Sequence, residues 1–175
     1  MNHVSGSLNH ARWECKRHVI FIQRGMNLAG RRNLWYRLRA RMIKGIDHIG
    51  IAVKSIDEAK KFWVDTLGLK HLRTENVPGQ KVRVAILAAG EATVELLEPT
   101  AADSPVQKFL DQRGEGLHHL TLATDALAGH LQALKAADIG LIDEEPRIGA
   151  GGAHIAFIHP KSAHGVLIEM CEHHD

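Results

Sequence analysis

Apolar and polar residues alternate through residues 46–53, IDHIGIAV, with the period of two that is typical of a β-strand. Residues 55–69 then carry apolar side chains at helical spacing, and Ser55 with Glu58 predicts a capping box at the start of this helix. Three more strand-like segments follow, at residues 69–75, 80–87 and 92–99. The first half of the pattern therefore predicts a βαβββ unit.

The second half of the chain repeats this order of elements. Residues 117–124 predict a strand, and residues 125–138 predict a helix with Asp125 as its cap. Three further strands are predicted, at residues 140–144, 153–160 and 165–172. The chain therefore contains an internal repeat, in which one structural unit occurs twice in tandem.

The repeat predicts an α+β fold in which two tandem βαβββ modules form a curved mixed sheet around a cleft. The modules span about residues 45–100 and 116–173. A linker helix at residues 104–113 joins them, with Ser104 as its N-cap and proline at its first position. Together they make one domain over residues 44–175.

Charge separates the start of the chain from this domain. Residues 1–44 contain eight Arg and two Lys against one acid, Glu14, a net charge of +9, so residues 45–175 carry −7 of the total of +2. A negative domain argues against nucleic-acid binding, because phosphate contacts require a positive face. Residues 1–43 are predicted to be a basic, disordered N-terminal extension; an organelle transit peptide and a surface-binding arm are the alternatives.

Two further features of the composition bear on location. No apolar run approaches the roughly 18 residues of a membrane span, so no membrane association is expected. The two cysteines, Cys15 and Cys171, lie far apart in sequence, which argues against a disulfide framework and favours a reducing compartment. We expect a cytoplasmic protein, or a mitochondrial-matrix protein if residues 1–43 are a transit peptide.

Two polar pairs recur in register between the halves. His48 aligns with His119, 71 positions later, and Glu95 aligns with Glu169, 74 positions later. Each interrupts an apolar strand, and a buried carboxylate is normally paired or bound to a metal. The repetition predicts a divalent metal site with open positions for a substrate oxygen, with ordinary core or surface roles as the alternative. Strand alternation places His118 on the opposite face from His119.

Several stretches resemble a known family: IDHIGIAVKSIDEAKKFW, VELLEP, GEGLHHLTLAT and HPKS followed by GVLIE. Over residues 44–172 the chain resembles the vicinal oxygen chelate (glyoxalase) superfamily and, within it, the methylmalonyl-CoA epimerases. The resemblance implies the glyoxalase fold, paired modules around one divalent metal that is often cobalt. It carries His48, His119 and Glu169 over as ligands and puts Glu95 at the position of the fourth.

The resemblance also implies an activity, the interconversion of (2R)- and (2S)-methylmalonyl-CoA through an enolate. The matching positions of Glu95 and Glu169 in the two halves make them our candidates for the two bases. Some members of the family carry a further acid on the strand that matches residues 80–87, but this chain has none there. This difference leaves the identity of one base open.

Anion contacts for the CoA moiety are expected from the glycine-rich bend and from the HPKS stretch. The candidates are Gly149, Gly151, Gly152 and Lys161. The alternative is that the glycines only form a turn before a strand. Other candidate anion contacts are Gln80, Lys81 and Arg83.

The expected cofactor is one divalent ion, Co²⁺ before Zn²⁺, Mn²⁺, Ni²⁺ or Mg²⁺, and the expected partners are an acyl-CoA and a second copy of the chain in a homodimer. Three alternative functions use the same modules. A glyoxalase I-like lactoylglutathione lyase would share the metal and the enediolate chemistry. A metal-free binding module would need no ligand set, and a ring-opening dioxygenase would need only two histidines and one glutamate.

Overall fold

The computed structural model describes residues 43–173, and the predicted extension lies, except for its last residue, outside them. Eight strands form one sheet: β1 Gly45–Ala52, β2 Lys70–Val77, β3 Val82–Ala89, β4 Ala92–Pro99, β5 Gly116–Ala123, β6 Arg147–Ile148, β7 His154–Ile158 and β8 Ile168–Glu172. The helices are α1 Ile56–Lys60, α2 Pro105–Arg113 and α3 Leu127–Ala136. None of the helices in this described part is long and apolar enough to cross a membrane.

The strand order, β2-β3-β4-β1-β5-β8-β7-β6, places the first strand of each module at the centre. The two central strands, β1 and β5, pair antiparallel and join the modules. Each also pairs in parallel with the last strand of its own module, β1 with β4 and β5 with β8. The predicted α+β fold of two βαβββ modules in a mixed sheet is confirmed.

One predicted strand is wrong. Residues 140–144 do not form a strand, and only Leu141 makes an isolated bridge, to Ile158. The short edge strand of the second module is instead β6, which pairs with β7. The reason is a tertiary contact: the Asp143 carboxylate accepts the backbone N–H of Phe157 at 2.9 Å, so a side chain takes the place of a ladder bond.

The helix starts match the sequence only in part. Ser55 caps α1 by accepting the N–H of Glu58 at 3.4 Å, but the Glu58 carboxylate binds Lys61 instead of completing a capping box. Ser104 caps α2 as predicted, accepting from Val106. The expected cap of α3 is wrong. Its N-cap residue is Ala126, and Asp125 pairs with Lys44 instead.

The helix predicted at residues 55–69 changes its winding after Lys60. Lys61–Thr66 form a π-helical segment, in which the N–H of Leu67 donates to the carbonyl of Phe62. The Thr66 hydroxyl donates to the Lys61 carbonyl at 3.0 Å and so competes with the ordinary helical ladder. The predicted helix is present, but about half of it is wound wider than an α-helix.

Buried apolar residues alternate between the two faces of the sheet. In the first module, Leu87 and Leu96 lie in the cluster that includes α1, whereas Ile86 and Leu97 lie in the cluster on the other face. The second module separates its residues in the same way, with Met170 in the cluster beneath α3 and Cys171 in the opposite cluster. Polar residues on the face opposite α1 and α3 therefore point toward the cleft that the two modules enclose.

Candidate metal centre

The four side chains predicted as ligands meet at the centre of the sheet. The Nε2 atoms of His48 and His119 lie 3.2 Å apart. The Glu169 Oε2 atom lies 3.1 Å from His48 Nε2 and 3.3 Å from His119 Nε2, and Glu95 Oε2 lies 3.5 Å from His48 Nε2. All four residues are buried, none being more than 7% exposed.

Strand register explains this convergence. Gly50 on β1 pairs with Glu95 on β4 and with His119 on β5. Thr121 on β5 pairs with His48 on β1 and with Glu169 on β8. Gly50 is required by space, because a Cβ at this position would lie 2.2 Å from His119 Cε1.

Two irregularities in the β1–β5 ladder give each histidine a neighbour on its other ring nitrogen. The register shifts past Asp47, and the Asp47 Oδ1 atom accepts from His48 Nδ1 at 2.8 Å. The register shifts again past His118, whose Nδ1 lies 2.9 Å from His119 Nδ1. His118 is therefore not on the opposite face from His119, as simple alternation had predicted, because a β-bulge turns its ring toward that of its neighbour.

Charge and burial perturb the ionisation of these groups strongly. Burial opposes protonation of His48, but hydrogen bonds to Asp47 and Glu169 and the charge of Glu95 outweigh it and raise its pKa to about 10. Burial raises the pKa of Glu95. Burial acts the same way on Glu169, but hydrogen bonds with the two histidines dominate and lower its pKa. The carboxylates of the centre create a negative electrostatic potential that attracts a cation.

The donor set fits a divalent cation. Two imidazole nitrogens face each other, and two carboxylates lie next to them. A single proton cannot satisfy four converging acceptors. His48, Glu95 and His119 each place a ligand atom within 4.8 Å of the others. Imidazole and carboxylate together suit first-row divalent metals. The adjoining cavity of about 220 Å³ leaves room for a ligand on the open side.

The predicted anion contacts fall in different places. Gln80 lines the cavity, and Gly151 lies in the turn Ala150–Gly152 that borders it, next to Gly152. Lys161 is exposed in the turn Pro160–Ser162 and is not among the residues that line the cavity. Two other candidates are engaged in ion pairs elsewhere, Lys81 with Asp103 and Arg83 with Asp57.

Sequence reasoning missed three residues of the site: Asp47, Thr121 and Arg73. The Thr121 hydroxyl donates to Glu169 Oε2 at 2.7 Å and lies 2.8 Å from His48 Nε2. Arg73, on the edge strand β2, lines the cavity and reaches across to the second module. A Cβ on Gly151 would lie 2.9 Å from its Nη2 atom. Alignment of the two halves could have drawn attention to Asp47, which aligns with His118, and to Thr121, which aligns with Gly50.

Comparisons with known proteins agree with this fold. The model of the glyoxalase/bleomycin resistance protein/dioxygenase superfamily matches residues 47–157. The uncharacterized protein YqjC of Bacillus subtilis is 50% identical over 127 residues, 73% of this chain and 91% of that protein. The mitochondrial methylmalonyl-CoA epimerase of Mus musculus is 32% identical over 126 residues, 71% of each chain.

A solved structure extends the similarity to a protein with a bound ligand. A Streptomyces coelicolor methylmalonyl-CoA epimerase variant in complex with 2-nitronate-propionyl-CoA has a TM-score of 0.72 and 36% identity to this chain. The match covers 75% of this chain and 95% of the other.

Proposed function

The chain belongs to the glyoxalase/bleomycin resistance protein/dioxygenase superfamily, and from this membership we propose that it is an epimerase that interconverts (2R)- and (2S)-methylmalonyl-CoA. One observation carries the proposal. Two buried carboxylates, one from each module, flank a two-histidine centre that opens into a cavity. Relatives named methylmalonyl-CoA epimerase, at about 30% identity and above, support this substrate class.

The reaction moves the proton at C2, between a thioester and a carboxylate, from one face to the other. His48, Glu95, His119 and Glu169 would hold a divalent cation, whose positive charge would stabilise the developing enolate oxygen. Glu95 removes the proton on one face and Glu169 returns one on the other, and the reverse direction exchanges these roles. Because the carboxylates come from opposite modules, they approach the substrate from two sides.

The cavity lining supports this choice of bases. In the described part of the chain, its carboxylates are those of Asp47, Glu91, Glu95 and Glu169. Asp47 is occupied by hydrogen bonds to His48 and His173. Glu91 lies in the turn between β3 and β4. The β3 side chains that face the cavity beside Glu95 are apolar, so β3 contributes no competing acid.

The anionic parts of the substrate require cationic or N–H donors at the mouth of the cavity. Arg73 and the turn that contains Gly151 and Gly152 meet there across the two modules, and Gln80 lines the same wall. We assign the CoA moiety to this side. Lys161 remains a second candidate for a CoA phosphate, at the surface of the second module.

Hydrogen–deuterium exchange at C2 tests the assignment of the bases. In Glu95→Gln, exchange from one epimer falls by about 100- to 10,000-fold, whereas the other epimer still exchanges through Glu169. Glu91→Gln is the matched control, a lining carboxylate outside the centre, and exchanges both epimers at the parent rate. Parent-rate exchange of both epimers in Glu95→Gln refutes the assignment. Turnover of a glutathione hemithioacetal with no exchange of methylmalonyl-CoA indicates the lyase instead.

Binding measurements test the anion contacts. Arg73→Ala raises the Michaelis constant for methylmalonyl-CoA by about 10-fold, the loss of one charge-assisted hydrogen bond. An unchanged constant in Lys161→Ala removes Lys161 as a contact.

The remaining parts of the proposal concern the metal, the assembly and the compartment. We propose Co²⁺ as the native ion, a homodimer in solution and a cytoplasmic location. Elemental analysis of the protein purified from its source, sedimentation of that protein and mass spectrometry of its N-terminus test these three points. Loss of residues 1–43 from the natural protein indicates a transit peptide and a mitochondrial-matrix location.

A further inference from the structure

Three side chains of different chemistry meet at the rim of the same cavity, next to the His/Glu centre. His173 Nε2 lies 2.7 Å from Asp47 Oδ2 and 3.5 Å from Cys171 Sγ. All three ligand atoms lie within 4.8 Å of one another. The three side chains differ in exposure: Cys171 is buried, Asp47 is partly buried and His173 is exposed. We call this cluster the rim site; it provides one sulfur, one nitrogen and one oxygen ligand.

The spacing suits a tetrahedral cation. Metal–sulfur and metal–nitrogen bonds of about 2.3 and 2.0 Å at a tetrahedral angle separate the two ligand atoms by roughly 3.5 Å. The observed separation between Cys171 Sγ and His173 Nε2 is 3.5 Å. The contact between Asp47 and His173 is a hydrogen bond, which opens by less than about 1 Å to admit a cation between its partners. The exposed imidazole is the side chain that moves.

The surroundings of the thiol favour a cation. The negatively charged side chains of Asp47, Glu95 and Glu169 line the same cavity as the buried Cys171 thiol. The same negative charges attract a divalent ion. On binding, the Sγ–metal bond forms as the S–H bond breaks, and the proton leaves to solvent.

We propose that Asp47, Cys171 and His173 form a second cation site, specific for a thiophilic divalent ion of the zinc class. A sulfur–nitrogen–oxygen set selects such an ion, whereas the two-histidine, two-glutamate centre has no sulfur and accepts harder ions as well. The two sites share a residue. Asp47 Oδ1 accepts a hydrogen bond from His48 Nδ1, and Asp47 Oδ2 is the oxygen ligand of the rim site.

Occupancy of the rim site therefore acts on the first centre. A cation bound to Asp47 withdraws electron density from the carboxylate that orients His48, and so weakens the support of that ligand. Cation binding at the rim site does not depend on the proposed function. Only the resulting inhibition of the enzyme rests on that function.

Cadmium titration of the full chain, in a Cys15→Ser background that leaves Cys171 as its one thiol, tests the site. We expect two Cd²⁺ ions per chain and an ultraviolet thiolate-to-cadmium charge-transfer band. In Cys171→Ser the band disappears and one ion remains. In His173→Ala, which changes an exposed side chain and preserves the fold, the stoichiometry also falls to one. His164→Ala, at an exposed histidine outside both clusters, keeps two ions and the band.

A further variant separates this proposal from the proposed function. In His119→Ala the first centre is disabled, and the charge-transfer band persists at one ion per chain. Absence of the band in the parent, or an unchanged stoichiometry in both rim variants, overturns the rim site whatever the enzymatic activity proves to be. If no variant loses epimerase activity, the rim site stands, and the result counts only against the proposed function.

Discussion

The two modules place the same pair of residues at the centre but surround them differently. Counted by the repeat, Gly50 in the first module matches Thr121 in the second, and each faces the histidine and glutamate across the sheet. Gly50 leaves space for the His119 ring. Thr121 fills its space with a hydroxyl that donates to Glu169. One carboxylate is therefore anchored by a side-chain hydrogen bond, whereas the other faces a glycine.

The bulged residues differ in the same way. Asp47 gives His48 a carboxylate on Nδ1, whereas His118 gives His119 a second imidazole. Burial and the charge of His119 lower the pKa of His118 to about 4, so it is neutral beside its neighbour. The comparison teaches that the repeat places the same candidate ligands in both modules, whereas the residues around them differ in chemistry. A pseudo-symmetric cleft thereby acquires two unequal sides.

The largest expected effect comes from removing the space at Gly50. Gly50→Ala puts a methyl group 2.2 Å from His119 Cε1 and forces the ring away from the centre. We expect metal affinity to fall by more than about 100-fold, beyond the usual effect of outer-shell changes. We also expect a stability loss of about 1–3 kcal/mol from overpacking. Calorimetric metal titration and denaturant unfolding measure the two effects.

Gly45→Ala is the matched control on the same strand. A Cβ at Gly45 meets no atom within 4 Å, so metal affinity and stability stay at the parent values. Parent-like metal binding in Gly50→Ala contradicts the steric account of this position.

The centre was largely predictable from the sequence, and its surroundings were not. Strand alternation and the comparison of the two halves pointed to His48, Glu95, His119 and Glu169 as candidates, because both signals can be read from the sequence alone. The bulge past Asp47 depends on how β1 pairs with β5, which no single strand encodes.

The other failures have the same physical origin. The missing strand at residues 140–144 reflects a contact between Asp143 and Phe157, 14 positions apart. Arg73 joins the site through a turn of the other module. In both cases the decisive partner lies in a distant element, where hydrophobic periodicity carries no information.

The next effect in size distinguishes the two bulged residues. Asp47→Asn weakens the acceptor on His48 Nδ1, and we expect metal affinity to fall by about 10- to 100-fold. Titration with Mn²⁺ isolates the His/Glu centre, because a hard ion avoids the thiol of the rim site. His118→Asn, the matched change in the second module, removes a neutral neighbour and has an effect below about 10-fold. Equal losses in the two variants contradict the inequality of the modules.

A smaller effect is expected at Thr121. Thr121→Val keeps the shape but removes the hydroxyl, which takes one donor from the buried Glu169 oxygen, at a cost of about 1–3 kcal/mol in the unfolding free energy of the metal-free protein. Thr121→Ser keeps the donor and recovers most of the loss. Chemical denaturation of the three proteins checks this order. If the serine variant is as unstable as the valine variant, packing rather than hydrogen bonding explains the role of Thr121.

The smallest effect compares the starts of α1 and α3, where the modules again diverge. Ser55 accepts the N–H of Glu58 at 3.4 Å, a long capping bond, so Ser55→Ala costs about 0.5 kcal/mol, the lower end for an N-cap. Asp125 is the predicted cap of α3 but makes no cap, and its ion pair with Lys44 is at the surface. Asp125→Ala therefore leaves the denaturation midpoint unchanged within error. A loss in Asp125→Ala as large as that in Ser55→Ala contradicts the observed difference in capping, because both helices would then depend on the residue that the sequence predicts as their cap.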